Sequence, residues 1–245
     1  MSFNVPTRRL LTLAIVPLLL VVVGCDNRKA PSGDRPVIVY GDSLAWQARS
    51  PLEFLGHANG VNLKVRAAGG IAACDQVASV RQDLAAAVKP RAIVLEFWGN
   101  NLTPCMGAPR SGAEGFTHGT SAYFDPWRSS LNAIQAAAAE AGVPVLWAAA
   151  PPRHYSDVDP DLNEVFEGMA RRRGWQVIPA GDVVADPAGR WVRRLPCNDF
   201  DVASGNCRNG VVEVRDADHV HFAEGTDGSW PGAVRWAGEV VAAVM

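Results

Sequence analysis

Surplus charge is scarce in this 245-residue chain: 23 Lys and Arg stand against 25 Asp and Glu, a formal net charge of -2. Without residues 1–24, which hold Arg8 and Arg9 and no acid, the net charge is -4. Such a balance excludes the basic footprint that nucleic acid requires, and it selects no other partner. Five cysteines and five histidines form no Cys-x-x-Cys or His-x-x-x-His spacing, so a structural zinc site has no support and no metal is expected. There is no internal repeat, and no low-complexity tract beyond an alanine run. Long apolar stretches are also missing, with one exception at the N-terminus. Leu10–Val23 is interrupted only by Thr12 and Pro17, and it is shorter than the roughly 20 residues of a spanning helix.

That stretch follows Arg8 and Arg9 and ends at Val22-Val23-Gly24-Cys25, the layout of a signal peptide rather than of a permanent anchor. The last four residues resemble a bacterial lipobox, which implies a diacylglyceryl group on Cys25 and cleavage before it. Residues 1–24 are then a lipoprotein signal peptide, 25–35 the lipidated cysteine and a polar tether, and 36–245 one domain. Acyl chains on Cys25 would hold the protein on the extracytoplasmic face of the membrane without crossing it. Thr7-Arg8-Arg9-Leu10-Leu11 also resembles a twin-arginine signal, so the export route stays open. Cys74, Cys105, Cys197 and Cys207 remain, an even number in a chain bound for an oxidising compartment, and two disulfides are expected. Three connectivities are possible. Cys74 with Cys105 and Cys197 with Cys207 are favoured because each pair would staple a segment beside a suspected catalytic element.

From Pro36 onward the pattern alternates. Val37–Tyr40, Asn62–Ala67, Ala92–Trp98, Pro144–Ala149 and Trp175–Ile178 read as strands. Leu44–Leu55, Gln76–Val88, Ala122–Ala141, Leu162–Arg173 and Gly232–Val244 carry helical apolar spacing. Strands alternating with helices predict an α/β fold with a parallel sheet covered on both faces, and ligands beyond the carboxyl ends of its strands. Thr103–Thr120 and Gly181–Asp216 have little periodicity and read as functional or disulfide-held loops.

Gly41-Asp42-Ser43-Leu44 lies where the first strand meets the first helix, placing a serine hydroxyl at that rim beside unpaired amides. Asp and Ser are equally good helix caps, so the tetrapeptide alone proves little. Asp218-His219-Val220-His221 supplies what a nucleophilic serine lacks: His221 as base and, three residues earlier, Asp218 to orient it. Asp216 and His219 are the neighbouring alternatives.

Taken in order, Gly-Asp-Ser-Leu, the glycines of Ala67-Ala68-Gly69-Gly70, Gly99-Asn100 and Asp-x-x-His resemble the four blocks of the SGNH/GDSL hydrolase family, over essentially all of residues 36–245. The resemblance implies a flavodoxin-like three-layer α/β/α sandwich with a central, mainly parallel five-stranded sheet. It also implies ester cleavage without metal or organic cofactor, with Ser43 as nucleophile and an oxyanion hole made by the Ser43 amide, the Gly70 amide (Gly69 as fallback) and the Asn100 side chain. The Gly-x-Ser-x-Gly of other serine hydrolases is absent. Where the family often has Asp after the block asparagine, this chain has Asn101, which also begins the sequon Asn101-Leu102-Thr103. Export points to an ester or acylated-glycan substrate, with acetyl as the favoured acyl group. Trp46, Trp98, Tyr123 and Trp127 are either stacking surfaces or core. An acyltransferase with the same triad, and a non-catalytic surface binding protein, are the alternatives. Oligomeric state is not encoded legibly.

Overall fold

The computed structural model describes residues 35–109, 113–154 and 162–245. The expected signal peptide, Cys25 and all of the expected tether but Arg35 lie outside the described residues. No helix among those described is long and apolar enough to cross a membrane.

Five strands, β1 (Val37–Gly41), β2 (Leu63–Ala67), β3 (Ala92–Glu96), β4 (Val145–Ala148) and β5 (Gln176–Ile178), form one parallel sheet in the order β2-β1-β3-β4-β5. Every residue of β1, β3 and β4 is buried, as expected of strands covered on both faces. Alternation decides which layer each side chain joins. Val37 and Val39 enter the core beneath α1 (Ser43–Gln47), α2 (Arg49–Ala58) and α7 (Pro231–Val244). Ile38 and Tyr40 enter the opposite core, beneath α3 (Ala73–Leu84), α4 (Ser121–Ala141) and α5 (Leu162–Arg171). The expected three-layer α/β/α sandwich is therefore present.

The single helix expected over 44–55 is broken at Ala48. Pro51 explains the break, since in a continuous helix its ring would crowd the carbonyl of Gln47 and its nitrogen could donate nothing. Helix α3 starts at Ala73 rather than Gln76, because the Asp75 carboxylate turns back to accept from the Ala72 amide at 2.9 Å. Strand β3 stops at Glu96, two residues short of the expected end.

The two aperiodic stretches are disulfide-held, with the favoured connectivity. Cys74–Cys105 joins the first turn of α3 to a 3₁₀ turn at Pro104–Met106. Cys197–Cys207 closes a loop containing α6 (Asp199–Ala203), flanked by β6 (Arg194–Pro196) and β7 (Val211–Glu213), which pair antiparallel. The site-bearing turns after β1, β2 and β3 share one rim, with the segment 216–222 folded back beside them.

Candidate active site

Strand β1 runs into α1 through Gly41 and Asp42. Only glycine fits at 41: a Cβ there would stand 2.5 Å from the Ala45 Cβ and 2.6 Å from the Glu96 carbonyl oxygen. Asp42 is the N-cap, accepting from the Leu44 amide at 3.1 Å, so the cap reading of this tetrapeptide holds for Asp42. Ser43 is the first helical residue, and its amide has no acceptor among the described residues. Its hydroxyl lies 2.9 Å from His221 Nε2. On the far side of the imidazole, Nδ1 is 2.5 Å from Asp218 Oδ2. Asp218 Oδ1 in turn accepts from the amides of Val220 and His221 at 2.8 and 2.9 Å. Burial pushes the Asp218 carboxyl up, but these donors outweigh it and hold the group below the ordinary aspartate value. With Nδ1–H committed to Asp218, Nε2 is left to accept the Ser43 proton.

The loop that carries the histidine is fixed from two sides. Gln47, one turn beyond Ser43 on α1, accepts from the Phe222 amide at 3.0 Å and donates to the Phe222 carbonyl at 3.3 Å. Arg215, fully buried, donates to the carbonyls of Pro152, Val220 and His221 at 3.0, 2.5 and 3.3 Å. Burial lowers its pKa to about 10 against the pull of Asp218, so the guanidinium stays charged at neutral pH.

The asparagine of the third block ties the other two together. Asn100 Nδ2 donates to Asp42 Oδ2 at 3.0 Å and to the Ile71 carbonyl at 3.2 Å, bridging the serine turn and the glycine turn. Gly70 has φ +73°, a conformation that favours glycine, and its amide has no acceptor among the described residues. Thus the Ser43 amide and the Gly70 amide stand open, with the Asn100 amide group between them.

The neighbours are placed elsewhere. Asp216 Oδ1 accepts from the Ala217 amide at 2.6 Å, and His219, at φ +66°, packs with Trp191 and His154 at ring separations of 4.9 and 4.6 Å. Asn101 is buried, donating to the Phe116 carbonyl at 3.1 Å while its own carbonyl takes the Gly115 amide at 2.8 Å. It anchors the 113–116 segment and offers no accessible acceptor for a glycan. Of the four aromatics considered for stacking, Tyr123 and Trp127 are core, and Trp98 is buried under the Arg153 guanidinium. Trp46 is half exposed, three residues along α1 from Ser43 and 6.4 Å from the Trp230 ring. Cys74, Asp75 and Cys105 form the one tight cluster of metal-ligand types among the described residues, and its sulfurs are spent in the disulfide.

Four participants had little signal in the sequence: Gln47, Arg215, the Trp98 amide, which donates to Asp42 Oδ2 at 2.7 Å, and Glu96, a fully buried acid at the end of β3. Glu96 did leave one trace, a lone charge inside an apolar strand.

No curated protein matches the sequence. Solved structures match the fold. A protein assigned as an acylhydrolase in Bacteroides fragilis superposes with a TM-score of 0.53 at 13% identity, over 88% of this chain and 89% of its own. LAE5, an alpha/beta hydrolase enzyme from the metagenome of Lake Arreo, gives 0.51 at 12%, over 85% and 94%. A GDSL-like lipase from Bacteroides thetaiotaomicron gives 0.50 at 11%, over 86% and 89%. These likenesses establish the SGNH hydrolase fold. The family described as Protein of unknown function (DUF459) matches residues 36–228, and the chain belongs to it.

Proposed function

We propose that the chain is an SGNH-type serine ester hydrolase, with Ser43 as nucleophile, His221 as general base and acid, and Asp218 as the group that orients and charge-stabilises the imidazole. The observation that carries this reading is the continuous relay from Ser43 Oγ to His221 to Asp218, at 2.9 and 2.5 Å, beside two open backbone amides. His221 takes the Ser43 proton as the oxygen attacks an ester carbonyl. The developing oxyanion is received by the amides of Ser43 and Gly70 and by Asn100, whose amide group turns from the Ile71 carbonyl toward it. His221 then protonates the leaving alcohol. Water, activated by the same imidazole, releases the acid and restores Ser43.

The same proposal takes residues 36–245 as the catalytic domain and 1–24 as a signal peptide. Cys25 carries the lipid that keeps the enzyme on the extracytoplasmic face of the membrane, and residues 25–35 are the tether. A surface-held esterase meets envelope esters first, so short acyl groups on glycans are the proposed substrate. The half-exposed Trp46 beside Ser43 offers an apolar face to a sugar ring.

Intact-mass spectrometry after a fluorophosphonate probe tests the assignment. Wild type should gain one adduct, and Ser43→Ala none. With p-nitrophenyl acetate, His221→Ala should be inactive and Asn100→Ala should lose about a hundredfold to a thousandfold in turnover. Asp218→Asn should fall between Asn100→Ala and His221→Ala. Labelled or active Ser43→Ala would sink the reading.

A further inference from the structure

Two carboxyl groups are buried directly behind Ser43, and the relay uses neither. Both Asp42 and Glu96 have zero exposure, and their strands are in register, with Gly41 beside Glu96. Absence of a side chain at Gly41 makes the approach possible, since a Cβ there would lie 2.9 Å from Glu96 Oε2.

The amides at the start of α1 divide between these acids. Leu44 donates to Asp42 Oδ1 at 3.1 Å, Ala45 to Glu96 Oε2 at 3.2 Å, and Trp46 to the Asp42 carbonyl at 3.0 Å. Among the described residues, Ser43 alone in that turn keeps an amide with no acceptor. Asp42 also receives Trp98 and Asn100, so three donors converge on its carboxylate. Glu96 has the amides of Ala45 and Asp42 facing it, and its Oε1 is buried with no partner among the described residues. Two carboxylates buried this close in the fold, each within reach of the other's field, resist carrying charge together. The better-solvated one, Asp42, holds the negative charge, and Arg153 and His221 add their fields to it. Among the described residues Asp42 is the charged group that acts on Glu96, and burial followed by that charge drives its pKa well above the ordinary glutamate value.

We propose that Glu96 is a positioning residue for Ser43: as a neutral carboxylic acid it takes the Ala45 amide, locks the first turn of α1, and leaves the Ser43 amide free for the oxyanion without adding a second negative charge behind it. The inference rests on the esterase reading only for its kinetic consequence. A nucleophile displaced by about 1 Å can lose a hundredfold in rate, so the hold on this turn is kinetically visible.

The test compares Glu96→Gln and Glu96→Ala in the full chain, using p-nitrophenyl acetate and infrared difference spectra at neutral pH. Glu96→Ala should lower kcat about ten- to a hundredfold with KM nearly unchanged, and Glu96→Gln, whose amide oxygen can still accept from Ala45, should recover at least about tenfold of that loss. The spectrum of wild type minus Glu96→Gln should contain the carbonyl band of a protonated carboxylic acid, and Ser43→Ala should retain it. Equal impairment of both variants, wild-type kcat in Glu96→Ala, or absence of the band overturns the proposal. If Glu96→Ala does not fold, the band decides. Failure of the esterase reading is seen separately, as a wild-type chain that takes no fluorophosphonate.

Discussion

Replacing Gln47 by alanine should disable the site without touching the relay itself. Ser43 and Gln47 are four residues apart on α1, a rise of about 6 Å along one face of the helix. Their partners, His221 and Phe222, are consecutive residues, so the helix and the histidine loop are pinned at two points rather than one. Gln47→Ala removes both bonds to Phe222, which is buried, and leaves its amide and carbonyl unpaired. Each orphaned backbone group costs about 1–3 kcal/mol, so roughly 2–6 kcal/mol of stability is expected to go unless water enters the gap. For a chain of this size that is a fall in Tm of about 4–24 °C. The freed loop should let the His221 ring drift from Ser43, lowering kcat about ten- to a hundredfold with a small effect on KM. Thermal unfolding and p-nitrophenyl acetate hydrolysis read the two effects. A folded Gln47→Ala protein with wild-type Tm and kcat would refute the argument that this pair of bonds sets the position of the histidine.

The disulfides should differ in weight. Loop entropy with separations of 31 and 10 residues assigns about 3.7 kcal/mol to Cys74–Cys105 and about 2.7 kcal/mol to Cys197–Cys207. Denaturant melts of the two paired Cys→Ser variants should show that ranking, and the reverse order would mean that native-state contacts outweigh chain entropy. Stability should also depend on pH through Glu96. Its folded pKa is raised, so above the ordinary value of 4.5 the unfolded chain releases a proton that the folded chain keeps. Stability therefore falls as pH rises through that window, by up to about 1.4 kcal/mol per unit from this group. Asp42, also raised by burial, acts in the same direction. Asp218, held low, acts in the opposite one: its contribution is present above the ordinary aspartate value and is lost on acidification. The difference between wild type and Glu96→Gln isolates the first effect, and parallel stability curves from pH 5 to 8 would contradict it.

What the sequence revealed was local. Val37–Tyr40 carries its own strand pattern, Asp218 and His221 are close enough to be read together, and two cysteine pairs flank aperiodic stretches. What stayed hidden depends on partners distant in sequence. Arg215 looks like any loop arginine until its three carbonyl acceptors, one of them at Pro152, come together in space. Gln47 is an ordinary helical residue until Phe222, 175 positions away, lies against it. The broken helix was within reach, because Pro51 forbids the bond that a continuous helix would need. The β6–β7 pair was not: strands of three residues display no period to read. Tyr123 and Trp127 went to the core because α4 turns that face onto the sheet, a choice that rim and core aromatics do not distinguish by composition.

The buried titratable groups around Ser43 share one design. Arg215 is solvated by carbonyls, Asp42 by two amides and Asn100, and Glu96 by amides alone, so the side chains are held mainly by backbone dipoles. Such groups contribute little net stability, since desolvation offsets most of their attraction. Their effect is geometric: each needs a particular loop conformation to be satisfied, and those conformations bring the turns after β1 and β3 and the segment 216–222 to one point. Apolar residues of equal volume would fill the same space and leave the loops free to choose. Order at this rim thus comes from buried polar groups that need particular backbone partners, and among the described residues the amides of Ser43 and Gly70 are left open beside them.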